Sequence, residues 1–242
     1  MSGAGPVAAV TGGGSGIGRA TAARLAADGF KVAVVDLEPG PAQPGGLAVT
    51  ADVAVAADVE RAFAQVAETL GPVGVLVAGA GITGSARATV LHETPVEDWD
   101  RVMAVNVRVV FLAVRAVLPA MLAAGSGHVI VIGSVAGLVA FPGRAAYTTS
   151  KGAAVQLARS VAVDYAAAGI RANAVCPGFT DTPMTRWRLD DPDLRAAVEA
   201  RIPLGRVAAA DDVAEAVALL ASGRMAYMTG HALVVDGGWT AQ

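Results

Sequence analysis

The sequence predicts an α/β fold built on a doubly wound parallel sheet, and three observations carry that prediction. Short apolar strands alternate with helical stretches along the 242 residues. A glycine-rich turn follows the first strand, and polar side chains suited to chemistry fall at the ends of later strands. In such sheets ligands lie beyond the carboxyl ends of the strands, where Gly12, Asp36, Ser134 and Pro177 are all expected.

The first strand, Val7–Thr11, runs into Gly12-Gly-Gly-Ser15-Gly16-Ile17-Gly18, and an alanine-rich helix follows from Gly16. Glycines in that position let the backbone approach a pyrophosphate, which the free N–H groups and dipole of the helix N-terminus stabilise. The spacing, Thr-Gly-x-x-x-Gly-x-Gly, differs from the commoner Gly-x-Gly-x-x-Gly fingerprint of Rossmann folds. The second strand, Lys31–Asp36, ends in a carboxylate eighteen residues beyond Gly18, where such a fold hydrogen-bonds the adenosine ribose hydroxyls. A 2′-phosphate would meet Asp36 with no adjacent cation, because Leu37 follows it and Ser15 occupies the loop. The predicted cofactor is therefore NAD (NADH) rather than NADP.

The stretch Leu37–Gly46 is too rich in proline and glycine for a regular helix, so a short loop is expected before the third strand, Leu47–Ala51. A helix from Val55 leads to the fourth strand, Val73–Val77, and a long helix runs from Val96 through Leu122. The fifth strand, His128–Gly133, delivers Ser134. A helix from about Ser150, the strand Arg171–Val175, a helix with an acidic start at Asp211 and the strand Ala232–Val235 complete the order.

Tyr147 and Lys151 stand four residues apart, thirteen and seventeen residues beyond Ser134. On a helix that spacing shares one face, so the ammonium is expected to favour the phenolate and lower the phenol pKa. A phenol so tuned exchanges a proton near neutral pH, and a strand-end serine beside it holds an oxygen.

With the glycine loop, Asp36, Ser134, Tyr147 and Lys151 in this order, the chain resembles the short-chain dehydrogenase/reductase family over almost its whole length. The resemblance implies one Rossmann-fold domain over residues 1–242 and hydride transfer between NAD(H) and a secondary alcohol or ketone. It gives Tyr147 the role of general acid/base and Ser134 that of substrate-oxygen donor. Lys151 would bind the nicotinamide ribose, and Asn106 would support a water-linked proton relay. It further implies adenine contacts from Asp52 and Val53, cofactor contacts from Gly81, and a nicotinamide-side loop at Pro177, Gly178, Thr180 and Thr182. A homotetramer is also implied. The sequence departs from the family at Ala78-Gly79, where two asparagines are usual, so the hydrogen bonds those amides make must be replaced or lost.

The segments Ile82-Thr-Gly, Phe141-Pro-Gly-Arg144-Ala-Ala-Tyr147 and Met184-Thr-Arg-Trp187-Arg188-Leu look similar to the 2-hydroxypropyl-coenzyme M dehydrogenases, whose substrates carry a sulfonate. Arg144 and Arg188 fall at the positions that bind the anion in that subfamily, and guanidinium forks suit carboxylate, sulfonate or phosphate. Surface pairing with Asp190, Asp191 or Asp193 is the alternative for these arginines. A 3-oxoacyl-[acyl-carrier-protein] reductase shares the motifs, but that class usually takes NADP, against Asp36. A catalytically idle nucleotide-binding module is opposed by the intact Ser134, Tyr147 and Lys151.

Eighteen basic and 21 acidic residues give a net charge of −3, with no basic cluster dense enough to follow a nucleic-acid backbone. The uncharged interval from Ala116 to Gly143 is broken by Pro119, the Gly125-Ser-Gly turn, His128 and Pro142, and reads as buried strand and loops rather than a membrane span. The first residues show no secretory pattern, so the cytoplasm is the expected location. Cys176 is the sole cysteine, read as a small buried residue, and neither it nor His92, His128 or His231 has metal-ligand spacing. The expected partner is a small-molecule substrate.

Overall fold

The computed structural model describes residues 5–84 and 90–242. Seven parallel strands form the main sheet, in the order β3-β2-β1-β4-β5-β6-β9. They are β1 Val7–Thr11, β2 Lys31–Asp36, β3 Leu47–Thr50, β4 Val73–Ala78, β5 Gly127–Ile132, β6 Ile170–Pro177 and β9 Ala232–Val235. These match the seven predicted strands, β1, β2 and β9 at both ends and the other four with ends shifted by one or two residues. A two-stranded ribbon of β7 (Thr180–Asp181) and β8 (Ala208–Ala209) was not expected.

Both faces of the sheet are covered, which is why its strands are continuous apolar runs. Within β1, Val7 and Ala9 join the core on one face and Ala8 and Val10 that on the other. Helices α2 (Ala56–Leu70), α4 (Val109–Ala124) and α5 (Ala145–Tyr165) pack on the first face, with Phe63, Val117 and Val155 buried. Helices α1 (Gly16–Ala27) and α8 (Ala210–Ala221) cover the second through Leu25, Val213 and Leu220. The strand order reverses between β1 and β4, and this switch point opens a crevice at the Gly12–Gly18 turn.

The long predicted helix is interrupted. α3 (Val96–Met103) passes into a π-turn at Ala104–Arg108 before α4 begins, and the extra residue turns Asn106 inward, where it is 1% exposed. The span from Val96 to Ala124 is long and apolar enough to cross a bilayer, yet Val109, Val110, Ala113, Val117 and Met121 are buried against the sheet. Helix α5 starts at Ala145 rather than near Ser150, so Tyr147 sits in its first turn. Leu37–Gly46 contains no helix, as its prolines require. Two short helices, α6 (Arg186–Leu189) and α7 (Pro192–Glu199), cap a small third core made by Leu189, Val198, Ile202, Val207 and Trp239.

Candidate active site

A cleft of about 490 Å³ lies beyond the carboxyl ends of the central strands. Its first wall is the glycine turn, with Gly12, Ser15, Gly16, Ile17 and Gly18 all lining it. At the first and last glycines, packing leaves no room for a side chain. A Cβ at Gly18 would lie 2.0 Å from the Gly12 carbonyl oxygen, and one at Gly12, whose φ is +72°, would lie 2.6 Å from Ala80. The turn is thus a bare-backbone cradle at a helix N-terminus, which fits a dinucleotide pyrophosphate.

Asp36 lines the same cleft, and its carboxylate is held in place: Oδ2 accepts from the Gly14 N–H at 3.0 Å and Oδ1 from the Glu38 N–H at 3.1 Å. A Cβ on Gly14 would meet the Glu38 carbonyl oxygen at 2.0 Å, so residue 14 cannot carry a cation beside Asp36. Asp52 and Val53 also line the cleft, and Asp52 is fixed by accepting the Ala54 N–H at 2.9 Å. At Ala78-Gly79 no side-chain amide is present, and the main chain and a tight space at Gly79 hold this point of the strand. The Gly79 N–H donates to the Thr11 hydroxyl at 3.2 Å, and a Cβ there would stand 3.0 Å from the Thr11 carbonyl oxygen.

At the other end of the cleft Gly81, Ser134, Tyr147, Lys151, Pro177, Gly178, Thr180 and Thr182 complete the lining. Every residue predicted to bind the cofactor therefore faces one cavity. Ile82 and Thr185, within segments noted for their resemblance but given no site role, also line it, as do Arg101 and Val105, which carry no distinctive motif.

Ser134 caps a short turn, its hydroxyl accepting the Ala136 N–H at 3.0 Å, and the same hydroxyl pulls the Tyr147 phenol pKa downward. Lys151 is buried, with Nζ donating to the Ile132 carbonyl at 2.9 Å and lying 5.9 Å from the Tyr147 ring centre. Burial pushes the Tyr147 phenol above its ordinary value near 10, against that downward pull from Ser134. The expected lowering by Lys151 is therefore corrected: burial dominates, and the lysine is directed to a carbonyl. Burial lowers Lys151 itself to about 8.

Asn106 does not line the cleft. Its Oδ1 accepts the Ile82 N–H at 2.8 Å, while Nδ2 donates to the Ile82 carbonyl at 2.8 Å and to Ser150 Oγ at 2.9 Å. Both amide hydrogens are thereby engaged.

Ser134 and Tyr147 are shared with a second cavity of about 350 Å³, together with Gly178, Met184 and Thr185. Arg144, Arg188 and Arg201 line it, and no carboxylate does among the described residues. Each guanidinium rests on an aromatic ring: Arg144 at 5.7 Å from the Trp187 ring centre, Arg188 at 5.5 Å from Phe179 and Arg201 at 4.3 Å from Trp239. Arg188 Nε is buried with no hydrogen-bond partner among the described residues. The arginine that pairs outward is Arg186, at 3.9 Å from Asp181. Arg201, Phe179 and Trp239 were not foreseen, since only the fold brings residues so distant in sequence to one wall.

Residues 12–240 match the family described as enoyl-(acyl carrier protein) reductase. The chain is 54% identical over 246 residues to 2-(R)-hydroxypropyl-CoM dehydrogenase of Xanthobacter autotrophicus, covering 97% of this chain and 98% of that one. It is 41% identical to cis-4-hydroxycyclohexanecarboxylate dehydrogenase of Sinomonas cyclohexanicum, covering 97% and 96%. Among solved structures it is similar to levodione reductase, with a TM-score of 0.88, 35% identity and 98% of each chain covered.

Proposed function

The chain belongs to the short-chain dehydrogenase/reductase family, and from that premise we propose that it is an NAD-dependent dehydrogenase of secondary alcohols that carry an anionic tail. The observation that carries this reading is the position of Ser134 and Tyr147 at the junction of the two cavities, one a bare-backbone cradle and the other lined by Arg144, Arg188 and Arg201.

Tyr147 takes the hydroxyl proton of the alcohol as the carbinol hydrogen leaves as hydride, and Ser134 hydrogen-bonds the oxygen as it becomes a carbonyl. Bound NAD supplies the hydride acceptor. Lys151 holds the nicotinamide ribose, and Asn106 supports the relay that returns protons to solvent through the region of Lys151, by its main chain because its side chain is engaged with Ile82 and Ser150. Asp36 accepts from the adenosine ribose and repels a 2′-phosphate, and the closed space at Gly14 leaves no room for an offsetting cation. Asp52, Val53, Gly81, Pro177, Gly178, Thr180 and Thr182 position the remainder of the dinucleotide.

Arg144 and Arg188 clamp the anion. The relatives support this, since the name of one includes CoM and that of the other a carboxylate. Half-exposed Phe111 and Leu122 on α4 and well-exposed Val163 on α5 are apolar surface that assembly into a homotetramer would cover, and a cytoplasmic location goes with this reading. A 3-oxoacyl-[acyl-carrier-protein] reductase reading, for which the Escherichia coli enzyme at 38% identity is the relevant relative, conflicts with Asp36.

The test is a set of initial rates with NAD and with NADP against neutral, carboxylate-tailed and sulfonate-tailed secondary alcohols. NAD-dependent turnover that favours the anionic members is expected. Faster reduction of acetoacetyl thioesters with NADPH than of any ketone with NADH would overturn the reading.

A further inference from the structure

Ser150 is fully buried immediately before Lys151. Its hydroxyl donates to the Tyr147 carbonyl at 2.7 Å and accepts from Asn106 Nδ2 at 2.9 Å. Asn106 in turn grips both main-chain groups of Ile82 at 2.8 Å each. A continuous line of hydrogen bonds thus runs from the cleft wall, through the π-turn, to the peptide unit of the tyrosine. A buried helical serine that merely bonded back to a carbonyl would satisfy itself within its own helix. Here the same hydroxyl is also the acceptor for an amide from another element.

Tyr147 lies in the first turn of α5, where N–H groups lack intrahelical partners and where Arg144 provides no side-chain cap. The Thr148 hydroxyl ties this turn to the Arg144 and Ala145 carbonyls, at 3.1 and 3.0 Å, within the same helix, whereas the cross-link through Ser150 is what joins the Tyr147 main chain to Asn106 and Ile82. We infer that Ser150 is a positioning residue for proton transfer: its hydroxyl ties the Tyr147 backbone to the Asn106–Ile82 clamp and so sets the reach of the phenol toward Ser134 and the reacting alcohol. The inference rests on the reading of Tyr147 as the acid/base.

The test compares full-length S150A and S150C with the parent, using NAD and a secondary alcohol. Alanine removes the hydroxyl, and cysteine keeps a side chain of similar size with only weak hydrogen bonding. Both are expected to lower kcat about tenfold or more, because small misplacements of a reacting group are costly. KM and NADH affinity stay within about twofold. The ascending limb of kcat/KM moves to higher pH, since moving the phenol away from Ser134 weakens the downward pull of that hydroxyl on its pKa. Two results overturn the inference: either variant keeping the parent kcat and limb, or turnover, NADH affinity and Tm falling together, as expected of a purely structural serine. If S150A does not fold, S150C decides. Y147F is measured alongside, so that an active Y147F counts against the acid/base reading and an inactive Y147F with a normal S150C counts against Ser150 alone.

Discussion

The buried Lys151 ammonium donates to the main-chain carbonyl of Ile132 at 2.9 Å, which fixes a cation on the cleft wall one strand-end away from Ser134. Its depressed pKa of about 8 means that the charge declines as pH rises through that value. If Lys151 holds the nicotinamide ribose, NADH affinity is constant below this point and weakens above it, by about tenfold once the charged hydrogen bond is lost. Fluorescence titration from pH 6 to pH 10 checks this. K151M should bind weakly throughout and show no break near pH 8.

The doubly held Asp36 carboxylate yields a second expectation. D36A should raise the KM for NAD by about tenfold and reduce the ratio of kcat/KM with NAD to that with NADP by about a hundredfold, since it removes both a ribose acceptor and a repulsive charge. NADP should still be used poorly, because Leu37 beside residue 36 carries no charge and Gly14 has no room for a cation. Initial rates with both cofactors decide it, and an unchanged ratio would remove Asp36 from cofactor choice.

R144A and R188A should each raise KM for sulfonate- or carboxylate-tailed alcohols by about ten- to a hundredfold and leave neutral alcohols nearly unchanged. Arg201 is exposed, so R201A should have the smaller effect. Equal losses on charged and neutral substrates would point to a packing role against Trp187 and Phe179 instead.

The seven strands and the cofactor cleft were legible in the sequence because they depend on local signals: apolar runs, bare glycines and strand-end polar residues. Leu37–Gly46 was legible for the same reason. The π-turn at Asn106 was not, because helical periodicity over Val96–Leu122 does not register a single inserted residue. The early start of α5 was missed because Arg144 and Ala145 carry no capping signature. The direction of the Tyr147 shift was misjudged because spacing places Lys151 on the same helix face but does not show that its ammonium is turned toward the Ile132 carbonyl. The aromatic-backed arginine pocket joins Phe141 to Trp239, a separation beyond any local pattern.

Away from the site, His128 is 3% exposed and bonded at both ring nitrogens, to the Leu220 carbonyl at 3.1 Å and to Asn173 Nδ2 at 2.9 Å. A carbonyl on one side and an amide donor on the other require the neutral ring, with Nδ1 protonated. Burial accordingly lowers its pKa to about 4. The unfolded chain takes up this proton first, so the stabilisation is fully present above about pH 6.5 and is lost as pH falls toward 4. The loss amounts to about 3 kcal/mol from a shift of 6.5 to about 4. Urea unfolding from pH 7 to pH 4 should show this decline, and H128Q should flatten it.

The central claim is tested most directly by Y147F, assayed for NAD-dependent oxidation of a sulfonate-tailed secondary alcohol alongside NADH binding. Loss of turnover by about a thousandfold or more, with NADH affinity within about threefold of the parent, is the predicted result. Turnover retained within about tenfold, with binding intact, would contradict the assignment of proton transfer to Tyr147.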